Sequence, residues 1–269
     1  MNDKVHTIKK DQTSTLVVHT DFDTWNILAS ATIKPEEGPA VRAVADAHGN
    51  VFNIDGDLEG EILDQGAQNT FNIGADAEID GVDGVTLNGS NGAVVNAGAI
   101  HASATGILSN VNAVTNSGNI AGATGVDIDH ARLINESGGH IEGTDVGVAL
   151  DYARLTNRGT ISSDGTTVSI EEKSTISNTG TINGDIHVLD GGRVHVVSLH
   201  GTINGMIFGN SDGDTYETNQ SDLKIVESAD AGKGPDTVYA SVDFTLPENI
   251  EILHLVYAAD VNGHGNGSD

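Results

Sequence analysis

An all-β chain wound as a parallel β-helix, a β-solenoid with three strands and about 21 residues in each coil, is the fold the sequence predicts. Three observations predict it. An aliphatic residue recurs at that interval, a small residue stands two places before it, and each interval holds three short alternating apolar runs.

The aliphatic residues are Leu58, Ile79, Ile100, Ile120, Ile141, Ile161, Ile182 and Ile203, spaced by 21, 21, 20, 21, 20, 21 and 21 residues. Ile33 opens a ninth, less regular unit, because NVFNIDGDL (50–58) is echoed by NTFNIGADAEI (69–79). The small residues are Gly56, Ala77, Gly98, Gly118, Gly139, Gly159, Gly180 and Gly201, placed where the chain takes a positive φ or passes close to its neighbour. Within one unit Ile120 is followed by Val126 and Ile128, then by Leu133 and Ile134. Runs this short with a period of two are strands, and Asn, Gly, Asp and Ser between them are corners. Asn96, Asn116, Asn157 and Asn178 each precede their Ile by four residues, and stacked amides at one register form a ladder. That spacing breaks at Ser137, where ESGGHI carries an extra residue, and at Leu199, and small bulges are expected there.

Composition agrees. The core must come from Val, Ile, Leu and Ala, since hydrophobic residues are 37% of the 269 and aromatics 4%. High Gly (34) with four Pro is neither collagen nor a flexible linker. A net charge of −27, from 39 acids against 12 bases, repels nucleic acid at every phosphate and favours counter-ions, of which Ca²⁺ suits carboxylates and carbonyls. The same charge also serves plain solubility. With no cysteine there is neither a disulfide nor a thiolate metal site. The start, MNDKVHTIKK, has no apolar h-region, so export without a cleaved N-terminal signal peptide is the expectation, and no apolar run is long enough for a membrane span.

Three regions follow. Residues 1–49, which hold the only Trp, do not repeat and read as an N-terminal cap or assembly region, because a solenoid's last coil exposes an unpaired edge. Residues 50–208 carry the repeats, which resemble the Asn-x-Gly-x-Ile units of autotransporter-type and other large β-helical surface proteins of bacteria. Residues 209–269 resemble the C-terminal segments of RTX-type secreted proteins, through GDTY (213–216), GKGPDTV (232–238), SVDFTLPENIEIL (241–253) and NGHGNG (262–267). Gly232, Gly234, Asp236 and Val238 match the Gly/Asp-rich calcium nonapeptide, with Ala231 in place of its first Gly. In the earlier copy Asp214 and Tyr216 match, while Asn210 and Asp212 replace glycines. The resemblance implies Ca²⁺ on some of Asp212, Asp214 and Asp236, with Gly234 turning the loop, and it implies secretion without a cleaved signal. Ordinary Asp-Gly turns are the alternative.

One column of residues bears on catalysis. Three places past the Val or Ile of one strand stand Asn88, Asn110, Asp129, Asp151 and Glu171, with Arg132 and Arg154 three residues after the two aspartates. Stacked acids this close raise a pKa or recruit a cation, and paired carboxylates are what glycosidic chemistry needs. Asp129, Asp151, Glu171 and Arg154 are therefore the candidate catalytic set of a polysaccharide lyase, hydrolase or epimerase. The plainer reading is a solvated acidic corner balanced by Arg132 and Arg154. The leading expectation is no enzyme but an extracellular structural or adhesive rod. Its partner is itself, head to tail, in calcium-dependent filaments or a biofilm matrix layer at the cell surface; extracellular polysaccharide is a further partner. A monomeric surface adhesin is the third reading.

Overall fold

The computed structural model describes residues 3–189, 191–229, 234–256 and 260–267. Among them every named strand pairing is parallel and no helix is present, so no helix is long and apolar enough to cross a membrane. The coils have three faces. The first is a sheet of 13 strands running from Val5–Ile8 to Ile252–Leu255, so 12 inter-coil steps span roughly 58 Å at the ordinary strand spacing. The second and third faces count as one sheet of 18 strands, because Asn119–Asp129 and His140–Asp151 run round the corner between them without a break.

Register confirms the repeat residue by residue. Ile33 pairs with Leu58, Leu58 with Ile79, Ile79 with Ile100, and the series continues without a slip through Ile120, Ile141, Ile161 and Ile182 to Ile203. All nine side chains are buried. Each withdraws apolar surface worth about 1.5–3 kcal/mol relative to exposure. A second inner column on the first face holds Phe52, Phe71, Val94, Val114, Leu133, Leu155, Ile176, Val196, Tyr216 and Val238. The Phe52 and Phe71 rings lie 4.5 Å apart and nearly parallel, as in-register stacking requires.

The amide ladder is longer than the spacing predicts. Asn96 donates to Asn116 (2.8 Å), Asn116 to Asn135 (2.9 Å), Asn135 to Asn157 (2.9 Å), Asn157 to Asn178 (2.9 Å), and Asn178 to Ser198 Oγ (3.1 Å). The expected break at Ser137 does not occur. Asn135, six residues before its Ile, holds the register, and the added residues close a turn in which Gly138 takes φ +92°. At Leu199 the rung is filled by Ser198, one place earlier in the chain. Neither site is a bulge; among the described residues a register shift lies instead between Gly122 and Thr124. The recurring glycines serve close approach rather than positive φ: a Cβ on Gly118 would lie 2.1 Å from Gly98 O, and one on Gly159 would lie 2.1 Å from Gly139 O.

Coiling also runs beyond residues 50–208. Val5 pairs with Thr24, 19 residues on, Thr24 with Val51, 27 on, and Thr237 with Ile252, 15 on. Corner loops of unequal length hide the period at both ends, although the strands remain in register.

Asn135→Ala leaves Asn116 Nδ2 and Asn157 Oδ1 short of a buried partner. It is expected to lower stability by about 1–3 kcal/mol. Urea unfolding followed by circular dichroism checks this, and an unchanged midpoint would mean that the ladder does not stabilise the rod.

Candidate metal centre

The candidate centre lies in the last coils and follows from the same alternation that builds the core. Leu223, Ile225 and Glu227 are successive inward positions on the third face. Glu227 therefore ends a column that runs Leu87, Ser109, Ile128, Leu150, Ile170 and Val188, with Gly209 immediately before it. Gly209 has no side chain because the Glu227 carboxylate fills that space: a Cβ there would sit 1.9 Å from Oε1.

Facing it from the first face is Tyr216, fully buried in the aliphatic column. Its hydroxyl donates to Glu227 Oε1 and lies 3.2 Å from Asp214 Oδ2. Asp214 and Asp236 occupy the corner before that face, where a polar side chain caps the preceding coil. Val194 N–H donates to Asp214 Oδ1 (2.7 Å), Asp214 N–H to Asp236 Oδ1 (2.7 Å), and Asp236 N–H to Glu251 Oε2 (2.8 Å). Asp23, Asn50 and Asn69 do the same near the other end. Carboxylate oxygens of Asp214, Glu227 and Asp236 all lie within 4.8 Å of one another, and all three residues are buried.

Electrostatics follow from that burial. Loss of solvent pushes the Glu227 carboxyl up to about 8; the Tyr216 hydrogen bond opposes the rise, and the neighbouring Asp236 and Asp214 add to it. Asp214 is raised to about 6, again by burial first, against the Val194 amide, Tyr216 and Arg193. The Ser228 backbone also opposes the rise at Glu227, yet among the described residues no donor has hydrogen-bond geometry at Glu227 Oε2, which is buried.

Of the residues that the calcium resemblance implies, Asp214 and Asp236 come together. Asp212 lies near enough to raise Asp214 but is not one of the three converging carboxylates. Gly234 takes φ +129° in its turn and is not one of the three either. Ala231 and Gly232 lie outside the described residues. Glu227 was missed because the calcium pattern drew attention to Asp-Gly turns, although the alternation in LKIVE points it inward.

The acidic column is also in register: Asn110 pairs with Asp129, Asp129 with Asp151, and Glu171 N–H donates to Leu150 O one place before Asp151 (2.9 Å). It lies on the outside of the coil, where Asp129 pairs with His130, and the His130 ring sits tilted against Tyr152 with ring centres 4.8 Å apart. Burial, then Asp129 and Glu172, raise the Asp151 carboxyl, while His130 lowers it. Arg132 stacks on Arg154, and neither forms an ion pair among the described residues. The balancing role expected of them is thus not a direct contact. Two cavities of about 360 Å³ lie elsewhere, one lined by Asp185, Asn204, Met206 and Lys224, the other by Glu61, Val82 and Asp83.

No protein-family model, curated protein or solved structure matches this chain.

The raised carboxyls set a pH dependence. Folded Glu227 keeps its proton to about pH 8, whereas the unfolded chain releases it near 4.5. The folded state then binds more protons across that window, so stability falls as pH rises through it. Urea midpoints in cation-free buffer are expected to drop between about pH 5 and about pH 8.5, and Glu227→Gln, isosteric with the protonated acid, should flatten the fall.

Proposed function

We propose that this chain is an extracellular structural or adhesive rod that stacks head to tail on copies of itself, forming calcium-dependent filaments or a surface or matrix layer. What supports this reading is the pair of edge strands. Among the described residues Val5–Ile8 is bonded on one side only, to Thr24–Ile27, and Ile252–Leu255 on one side only, to Thr237–Ala240. Both belong to the same face and run in the same direction, so the edge of one copy continues the sheet of the next. Two unlike surfaces that meet by translation do not close, and a filament results.

Charge supports the same pairing. The first coil, residues 3–23, carries Lys4, Lys9 and Lys10 against Asp3, Asp11, Asp21 and Asp23, a balance of 3 − 4 = −1. Residues 241–269 carry Asp243, Glu248, Glu251, Asp260 and Asp269 with no Lys or Arg, a balance of −5. The near-neutral first coil repels the acidic end less than that end repels a second copy of itself. The chain's net −27 repels copies at long range, and divalent cations weaken that repulsion. Exposed Val5 and Leu255 add apolar area at the two edges.

The test leaves the coil intact while blocking one edge. Ile252 and Val256 donate their amides back to Asp236 O and Ala240 O, so the Leu255 amide points away from the preceding coil. Leu255→Pro removes a donor from that outer edge alone. The parent chain is expected to form filaments with Ca²⁺ under electron microscopy, and the Leu255→Pro chain to stay monomeric by light scattering. Monomers of the parent at every Ca²⁺ level would overturn the reading and favour a monomeric adhesin.

A further inference from the structure

We infer that the corner bearing Asp129, His130, Arg132, Asp151, Tyr152 and Arg154 pairs side by side with the same corner of a second copy, the two rods pointing the same way. This corner joins the third face to the first. Ile128, Ala131 and Leu133 point inward and are buried, so Asp129 and Arg132 stand outside on either side of His130. The next coil repeats the order, with Asp151 paired to Asp129, Tyr152 beside His130, and Arg154 paired to Arg132. One coil further on, Glu171 and Lys173 bring acid and base again in that sequence. An acidic stripe and a basic stripe therefore run along the axis, with an exposed ridge of rings between them.

The basic stripe lacks anions of its own. Arg132 and Arg154 lie in register on adjacent coils, and neither has an ion pair or hydrogen bond among the described residues. Like charges directly opposite in a sheet repel. Elsewhere the chain answers its arginines: Arg158 donates to both Glu136 carboxylate oxygens (3.1 and 3.0 Å), and Arg42 donates to Gln65. The backbone of the ridge is the second observation. Val111, His130 and Tyr152 share one stacked position at φ +53°, +49° and +44°, a region costly for β-branched and bulky residues. Gly49 and Asn91 hold the same position in earlier coils, and both residue types enter that region readily. Val111 and Tyr152 nevertheless stand about half exposed, at 48% and 50%. Strain is thus accepted to hold apolar side chains in water, and a covering partner gives them a use.

Charge chooses both the occupant and its direction. An edge with acids on one side and bases on the other complements itself when the two-fold axis runs parallel to the rods. Asp129 and Asp151 of one copy then face Arg132 and Arg154 of the other, twice over. A two-fold axis across the rods would set acid against acid. Asp129 shares one oxygen with His130 of its own chain, and a carboxylate has a second to offer. Parallel pairing keeps one polarity, so it adds a lateral contact to the proposed filament without depending on stacking. Repulsion between the two net charges is screened beyond about 8 Å at physiological salt. Exposed charge pairs contribute little each, so a single pair of rods is held weakly.

The test uses the Leu255→Pro background, so that failure of lateral pairing and failure of end-to-end stacking are separate results. The chain has no cysteine, and Tyr152→Cys places one beside the two-fold axis. Under a mild oxidant at about 0.15 M salt, it should form disulfide-linked dimers about tenfold faster than Val82→Cys, which is more exposed and sits on another corner. Arg132→Glu with Arg154→Glu should remove that advantage, as should Asp129→Arg with Asp151→Arg, and the milder Arg132→Gln with Arg154→Gln should reduce it. Mixing the two charge-reversed chains, each shown to be folded by circular dichroism, should restore it. Equal crosslinking from positions 152 and 82, or no recovery on mixing, would overturn the inference. So would a chain that stays monomeric and binds polygalacturonate through Arg132 and Arg154, which would give the corner to an acidic polysaccharide.

Discussion

Every part of this molecule depends on in-register parallel stacking, which places each inward side chain directly against its counterpart in the next coil. In a sheet the pleat alternates side chains between faces, so one residue of slip would turn the whole inner set outward. Here the Ile column, the Phe52–Phe71 pair and the amide ladder all sit at a single register, and each would be lost together with the others. The glycines beside the ladder are the steric counterpart of this constraint. The corner backbones lie so close that no Cβ fits between Gly139 and Gly159.

Stacking also decides which polar groups the core tolerates. An Asn in the column meets another Asn, and donor faces acceptor down the row, so each amide is satisfied by its neighbours. A carboxylate has no such self-complement, since it only accepts. Asp64 accepts from Asn69 and the turn at Gly66, yet burial still raises it to about 6. Asp214, Glu227 and Asp236 are set against one another, and burial raises Glu227 and Asp214 toward their neutral forms. The last coils are therefore where three buried carboxylates converge.

The same geometry separates the acids outside from those inside. Asp129, Asp151 and Glu171 stack as their spacing predicts, yet they stand at the outer surface, where His130 pairs with Asp129, although one Asp151 oxygen is buried without a partner among the described residues. These three are less enclosed than the carboxylates that meet Tyr216, all of which are buried. A column legible at fixed offsets is evidence of register, and burial then sets its electrostatics.

By itself the sequence determined the architecture: three strands to a coil, the inward Ile and Gly columns, and most of the ladder, because a period of about 21 with alternation inside it leaves no other packing. It did not determine where unequal corners would be absorbed. Asn135 keeps its rung despite its displaced spacing, and the coils at 5–43 and 215–255 are in register behind loops that erase the period. Only the tertiary structure brought Glu227 to Asp214 and Asp236, since these residues lie on different faces and their meeting depends on how far each corner turns. Sequence spacing reports what repeats along the axis, whereas contacts across the interior depend on the cross-section of the coil, which no local pattern encodes.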